Sequence, residues 1–245
     1  MLRPSSTLSP QSRTTGTSPI ERVFRGAACV ALLALSTLKF STLPVRAESE
    51  PAAVTPAAAA DRALNAYARA WAGMTGYTAT VTAFEQKGTQ SERCTLSYTF
   101  KKPANVAVHI ISGPNAGSNL TWDGGPTVTG SPGSGLLSFL KKKFPLHDPA
   151  VTTTRGSSID EMSFGSILAH AEHQTGTLTD GPAEDIAGVS ADVVALTPAD
   201  PAADGGLTRE VIELSSVTHL PLRILGFVGT LEVRRIDFTN VTISD

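Results

Sequence analysis

The chain has 245 residues, 41% hydrophobic and 17% charged, with a formal net charge of -2. This is the composition of an ordinary globular domain with a core of its own. A charge so near zero, with only 6% aromatic residues, argues against a globally basic nucleic-acid surface and against a base-stacking platform.

The first stretch reads as a targeting segment. Met1 to Glu21 is rich in Ser, Thr, Pro and Arg, then Arg22 and Arg25 precede an apolar run from Gly26 to Leu38, and Val45-Arg46-Ala47 supplies small residues for a signal peptidase. Interrupted at Lys39, the run is too short to span a bilayer, so residues 1–47 are expected to be an export signal cleaved near Ala47. Cys29 stands at the start of the apolar run, the wrong place for a lipidated cysteine, and after cleavage Cys94 is the only cysteine left. An exported domain of this size is then expected to hold without an internal disulfide, with Cys94 as a small apolar strand residue. Residues 48–60, largely Ala and Pro, are expected to be a linker, leaving 61–245 as the folded domain.

The domain opens on a helix. Asp61 suits the N-cap, Leu64, Tyr67, Ala68 and Trp71 share one face, and Gly73 and Gly76 end it. Tyr77 to Gln86 alternates as a strand. Cys94, Leu96, Tyr98 and Phe100 alternate with Thr95, Ser97 and Thr99, a strand with one buried face. The Lys101-Lys102-Pro103 corner turns the chain, Val106, Val108 and Ile110 restart it, and Gly113 to Gly117 turns it again into Asn119 to Trp122. That is an antiparallel meander.

In the middle, Pro126 to Gly135 is a loop with a short strand at Thr127 to Thr129. Leu136 to Phe144 is expected to be an amphipathic helix, with Leu136, Leu137, Phe139, Leu140 and Phe144 beside Lys141, Lys142 and Lys143, stopped by Pro145. Its lysines suit anionic lipid headgroups or a solvated helix face. Ser158 to His173 is expected to be a second helix with Asp160 and Glu161 in its first turn, and the two helices are candidates for a lid. Strands follow at Thr177 to Thr179, Asp185 to Thr197, Thr208 to Leu214, Pro221 to Gly229 and Thr230 to Ile243, with Gly181-Pro182 as a separator.

Catalytic signatures are weak. His170 and His173 beside Glu172 lack i, i+4 spacing and a third ligand, for which His147 with Asp148 is a poor source. Gly133-Ser134-Gly135 and Gly165-Ser166 lack a nucleophile elbow, and Gly113 to Gly117 lacks the Lys-Ser or Lys-Thr pair and the helix of a phosphate loop. No catalytic residue, cofactor or metal ligand is assigned.

The order of elements carries more. A helix before a strand, the Phe100-Lys-Lys-Pro103 corner, the Asp123-Gly124 hairpin signal, a helical insertion and the late Thr218-His-Leu-Pro-Leu-Arg223 before a hairpin resemble the LolA-like superfamily of periplasmic lipid and lipoprotein carriers, over about Asp61 to Asp245. The resemblance implies an α+β fold: a strongly curved antiparallel sheet, an unclosed β-barrel, with an N-terminal helix and a helical lid over an apolar cavity. It implies an exported, periplasmic, non-catalytic carrier whose partner is a lipid, an acyl chain or another hydrophobic ligand, with a membrane surface or an envelope protein as further partner. The lipoprotein chaperones of the superfamily carry an Arg shortly after the corner Pro; here that position is Ala107, a departure that weighs against lipoprotein handover. Leu96, Tyr98, Phe100, Val108, Ile110 and Trp122 of the meander, with Phe139 and Leu140 of the lid, are the expected ligand-binding residues. In the alternative, the protein fills its interior with its own side chains and serves as a structural or protein-interaction domain. Export predicts a mature chain beginning near Glu48; intact mass of the exported protein checks this, and a full-length cytoplasmic chain or a lipid on Cys29 contradicts it.

Overall fold

The computed structural model describes residues 55–133 and 141–244. The first described element is a helix, α1, Pro56–Ala72. Its cap is Thr55, whose side chain accepts from the Ala58 amide, with Pro56 at the first helical position. Helix formation therefore starts more than a turn before Asp61, because Ala57 to Ala60, expected as linker, are strong helix formers once capped. Ala60, Leu64 and Tyr67 are buried and Trp71 packs against the core, so one stripe of the helix faces inward.

Eleven antiparallel strands form one sheet: β1 Gly76–Lys87, β2 Gln90–Lys101, β3 Asn105–Ser112, β4 Asn119–Trp122, β5 Thr127–Ser131, β6 Lys142–Pro145, β7 Gly176–Ile186, β8 Val189–Pro198, β9 Arg209–Ser215, β10 Pro221–Val228 and β11 Leu231–Ser244. Their order is β6-β5-β4-β3-β2-β1-β11-β10-β9-β8-β7. Each strand pairs with its neighbour in sequence except where β1 meets β11, which joins the two meanders. Among the described residues β6 and β7 remain the two edges, so the curved sheet is an unclosed barrel. With an N-terminal helix and a second helix inserted between the meanders, this is the architecture implied by the resemblance to the LolA-like superfamily.

Register explains the core. Ala79, Tyr98, Val108 and Leu120 stand in one row across β1 to β4. Ala83, Ile236, Ile224, Ile212 and Val194 make a second row across β1, β11, β10, β9 and β8. Both rows lie on the face that carries the hydrophobic core, as the period-2 pattern of β2 and β3 requires. The second helix, α2, Phe164–His173, lies against this face and touches α1, which also packs on β7 and β8.

Four expectations need correction. The helix expected at Leu136 to Phe144 is replaced over Lys142–Pro145 by strand β6, paired with β5; residues 134–140, including Phe139 and Leu140, lie outside the described residues. Lys142 and Phe144 follow a period of 2 there, and lysines suit an edge strand that must resist further pairing. The helix expected from Ser158 begins only at Phe164, capped by Ser163, because the Ser158 hydroxyl turns to Asp160 and Glu161 and the segment before Ser163 forms turns. Finally, β7 runs through Gly181-Pro182 with a register slip, which an edge strand tolerates, and the stretch expected as one strand from Asp185 to Thr197 breaks at Ala187-Gly188. Both turn residues have positive φ, the geometry of a tight hairpin, but Ala-Gly lacks the usual Asn-Gly or Asp-Gly signature.

On the opposite face Asp237, Arg223, Glu213 and Val193 stand in register. Glu213 is only 1% exposed, and burial pushes its carboxyl above the ordinary 4.5, with Arg223 opposing and Glu184 reinforcing the shift. A carboxyl raised in the folded state contributes stability that is present below its unfolded value and lost as pH rises through the folded one. Arg223 keeps Asp237 at 2.5 Å if Glu213 is neutralised. Glu213→Gln is therefore expected to raise the melting temperature at neutral pH, with the difference vanishing below 4.5; a lower melting temperature at neutral pH would mean that the Arg223 pair outweighs the burial cost.

Candidate ligand-binding site

The apolar face of the sheet is filled over its middle strands and hollow on the β3 to β6 side. The filling starts from Phe164, the first residue of α2. Its ring stacks on Tyr77 of β1 with centroids 4.0 Å apart and meets Phe238 of β11 edge-on at 5.2 Å. Its backbone is held as well: the Tyr67 hydroxyl donates to the Phe164 carbonyl at 2.5 Å, and the Phe164 amide donates to the Tyr77 oxygen at 3.1 Å. Burial pushes both phenols well above their ordinary range, so they remain protonated. Tyr77 also stacks on Phe100 and Tyr98, and Trp71 of α1 packs against Phe100. A Cβ on Gly165 would fall 2.6 Å from the Trp71 ring, so the absence of a side chain there lets α2 close on α1.

Of the residues expected to bind ligand, Tyr98 and Phe100 therefore sit in packed core. Tyr98 is 0% exposed, with its hydroxyl donating to the Ile159 carbonyl at 3.4 Å. Leu96 and Val108 are also buried but border space: with Ile110, Leu120, Ile159 and Met162 they line a cavity of about 100 Å³. Ile110 and Leu120 continue into a groove of about 340 Å³ walled also by Gly130, Phe144 and Val151. Trp122 stands apart from both. Its ring nitrogen donates to the Gly125 carbonyl at 2.6 Å and it borders a separate hollow with Lys101, Asp123 and Lys143. The sheet thus brings Leu96, Val108 and Ile110 together, while Leu120, Phe144 and Val151 are wall residues that sequence reasoning missed. Leu120 and Phe144 carried a signal in their alternation with neighbours on β4 and β6; Val151, on a loop, carried none.

Cys94 borders the small cavity too, and burial, with Glu92 and Glu85 adding to it, pushes its thiol up, keeping it neutral. Among the described residues no three His, Cys, Asp or Glu side chains are arranged to hold a metal ion. His173 turns its Nδ1 to the Ala169 carbonyl of its own helix, whereas His170 points to the sheet, 3.5 Å from Glu210 and 3.6 Å from Asp204. No described helix is long and apolar enough to cross a membrane.

No protein-family model matches the chain, and no curated protein matches it. Solved structures similar to it include an uncharacterized conserved protein from Thermus thermophilus, 10% identical over 76% of this chain and 88% of that one, with a TM-score of 0.48. The lipoprotein LppX of Mycobacterium tuberculosis is similar over 74% of this chain and 92% of its own, at 12% identity and a TM-score of 0.41. A LolA superfamily protein from Nitrosomonas europaea is 13% identical over 79% of this chain and 95% of that one, with a TM-score of 0.37.

The aromatic stack gives a direct expectation. Phe164→Ala removes the ring that joins α2, β1 and β11, and is expected to cost about 3–5 kcal/mol of stability in urea denaturation. A loss below about 1 kcal/mol would mean that the stack is not what holds the helix to the sheet.

Proposed function

We propose that this protein is an exported, non-catalytic binding protein of the cell envelope that holds a lipid, an acyl chain or another apolar ligand on the concave face of its sheet. The observation that carries this reading is the groove along Ile110, Leu120 and Phe144, about 340 Å³, continuous in its lining with the cavity behind Leu96 and Val108. Its volume falls within the range of small-molecule sites, and its walls are mostly apolar. Each ligand methylene it buries contributes about 0.8 kcal/mol, so a modest length of chain offsets the cost of immobilising the ligand. The helix α2 packs over the middle of the sheet at β1 and β11, so the ligand enters on the β3 to β6 side. Export rests on the segment before Glu48, and the absence of an Arg at Ala107 favours free lipid over a lipoprotein as cargo.

A second reading has one observation in its favour. Tyr98 and Phe100, expected on the cavity wall, are packed, which is how a filled interaction domain would begin. The two readings separate on the groove itself. In titrations with the fluorescent fatty acid cis-parinaric acid, the unmodified protein is expected to bind and Ile110→Glu to bind about tenfold or more weakly, because a charge there meets the ligand tail without a partner. Ile110 is only partly buried, so the melting temperature is expected to change little. No binding by the unmodified protein would discard the carrier and leave the interaction domain.

A further inference from the structure

A second cavity lies on the same face beyond Met162, and its chemistry is different. It measures about 370 Å³ and is lined by Arg155, Glu161, His170, Asp204, Glu210 and Arg234, with Met162 and Ser157 common to it and to the small apolar cavity. The sheet builds it by register. Glu85 of β1, Arg234 of β11, Gly226 of β10 and Glu210 of β9 stand in one row, next to the isoleucine row of the core, and a side chain at Gly226 would press on Arg234 and on Leu207. The helix α2 brings His170 over that row, and the turn before β9 brings Asp204.

The polar atoms here are only partly matched. Glu210, 2% exposed, is held by the Arg234 guanidinium. Arg155 spends its guanidinium on the Gln86 and Gly205 carbonyls at 2.9 and 2.6 Å. Left buried without a hydrogen-bond partner are a donor, Arg234 Nε, an acceptor, Asp204 Oδ2, and the imidazole Nε2 of His170. Buried polar groups demand partners, so the cavity asks for a guest that both donates and accepts. Three carboxylates against two guanidiniums, both already engaged, disfavour a phosphate or carboxylate group. A quaternary ammonium supplies no hydrogen bond to either kind of atom.

We infer that the ligand is an amphiphile whose head is neutral and hydroxyl-rich, a sugar or polyol, seated among His170, Asp204 and Arg234 while its tail lies past Met162 in the apolar groove. Hydroxyls meet the unpaired donor and acceptor together. Met162, unbranched and adaptable, separates the two cavities and yields to a chain passing between them. The inference rests on the apolar-ligand reading above and names the class of its ligand.

Calorimetric titration with three amphiphiles sharing a twelve-carbon tail, each kept below its micelle concentration, tests it: dodecyl maltoside, laurate and dodecyltrimethylammonium. The maltoside is expected to bind about tenfold or more tightly than either charged probe. Asp204→Asn, on the turn before β9 and 3.6 Å from His170, is expected to weaken the maltoside about tenfold and to strengthen laurate, with an unchanged thermal melt. Equal binding of all three probes, or an Asp204→Asn variant that leaves their ranking intact, overturns the headgroup while the apolar ligand stands. Binding of none of the three overturns both.

Discussion

Phe164 decides how this sheet is used. A ring stacked on Tyr77, with its backbone carbonyl taken by Tyr67 and its amide given to Tyr77, leaves the first turn of α2 no freedom to slide. Tyr67 belongs to α1 and Tyr77 to β1, so α2 is tied at one residue to two consecutive elements 97 and 87 residues earlier in the chain. The phenols stay protonated at neutral pH because burial disfavours their charged form. Once α2 is fixed there, the middle of the concave face over β1 and β2 is core, and space is left on either side of it, at the apolar groove by β3 to β6 and at the polar cavity by β9 to β11.

That division has an electrostatic counterpart. The same helix, two turns on, presents His170 to a row of charged side chains that the antiparallel register places beside the isoleucines of the core. Buried charges such as Glu210 are costly unless paired, and Arg234 supplies the pair. On the other face, Glu213 is paired with Arg223, which also holds Asp237.

The open barrel is also a matter of its edges. At β7 the edge strand is irregular, with a register slip between Gly181 and Glu184 and Pro182 within it, and at β6 the edge carries Lys142 and Lys143; both features discourage another strand from adding. β1, flanked by β2 and β11, is the seam where the two ends of the domain close on each other, and its many backbone bonds make it the centre of the sheet. Pairing strands so far apart in sequence is the slow step expected of such topologies, since the loop between them must be closed before the contacts form.

By itself the sequence determined the strands with one wet face. Alternation at Leu96, Tyr98 and Phe100, or at Val106, Val108 and Ile110, is a local signal, because the side-chain period of a strand is fixed by its backbone. It also determined the stripe of α1, though not its start, since alanines read equally as linker and as helix until a cap such as Thr55 is seen. Only the tertiary structure decided which of those inward residues are wall and which are filling. Tyr98 and Ile110 carry the same pattern in sequence, yet one is covered by the turn at Ile159 and the other borders a groove. The polar cavity was beyond local reading for the same reason: Glu85, Glu210 and Arg234 are far apart in the chain, and only strand register brings them into one row. Burial depends on what another segment lays over a residue, and that is a property of the whole fold.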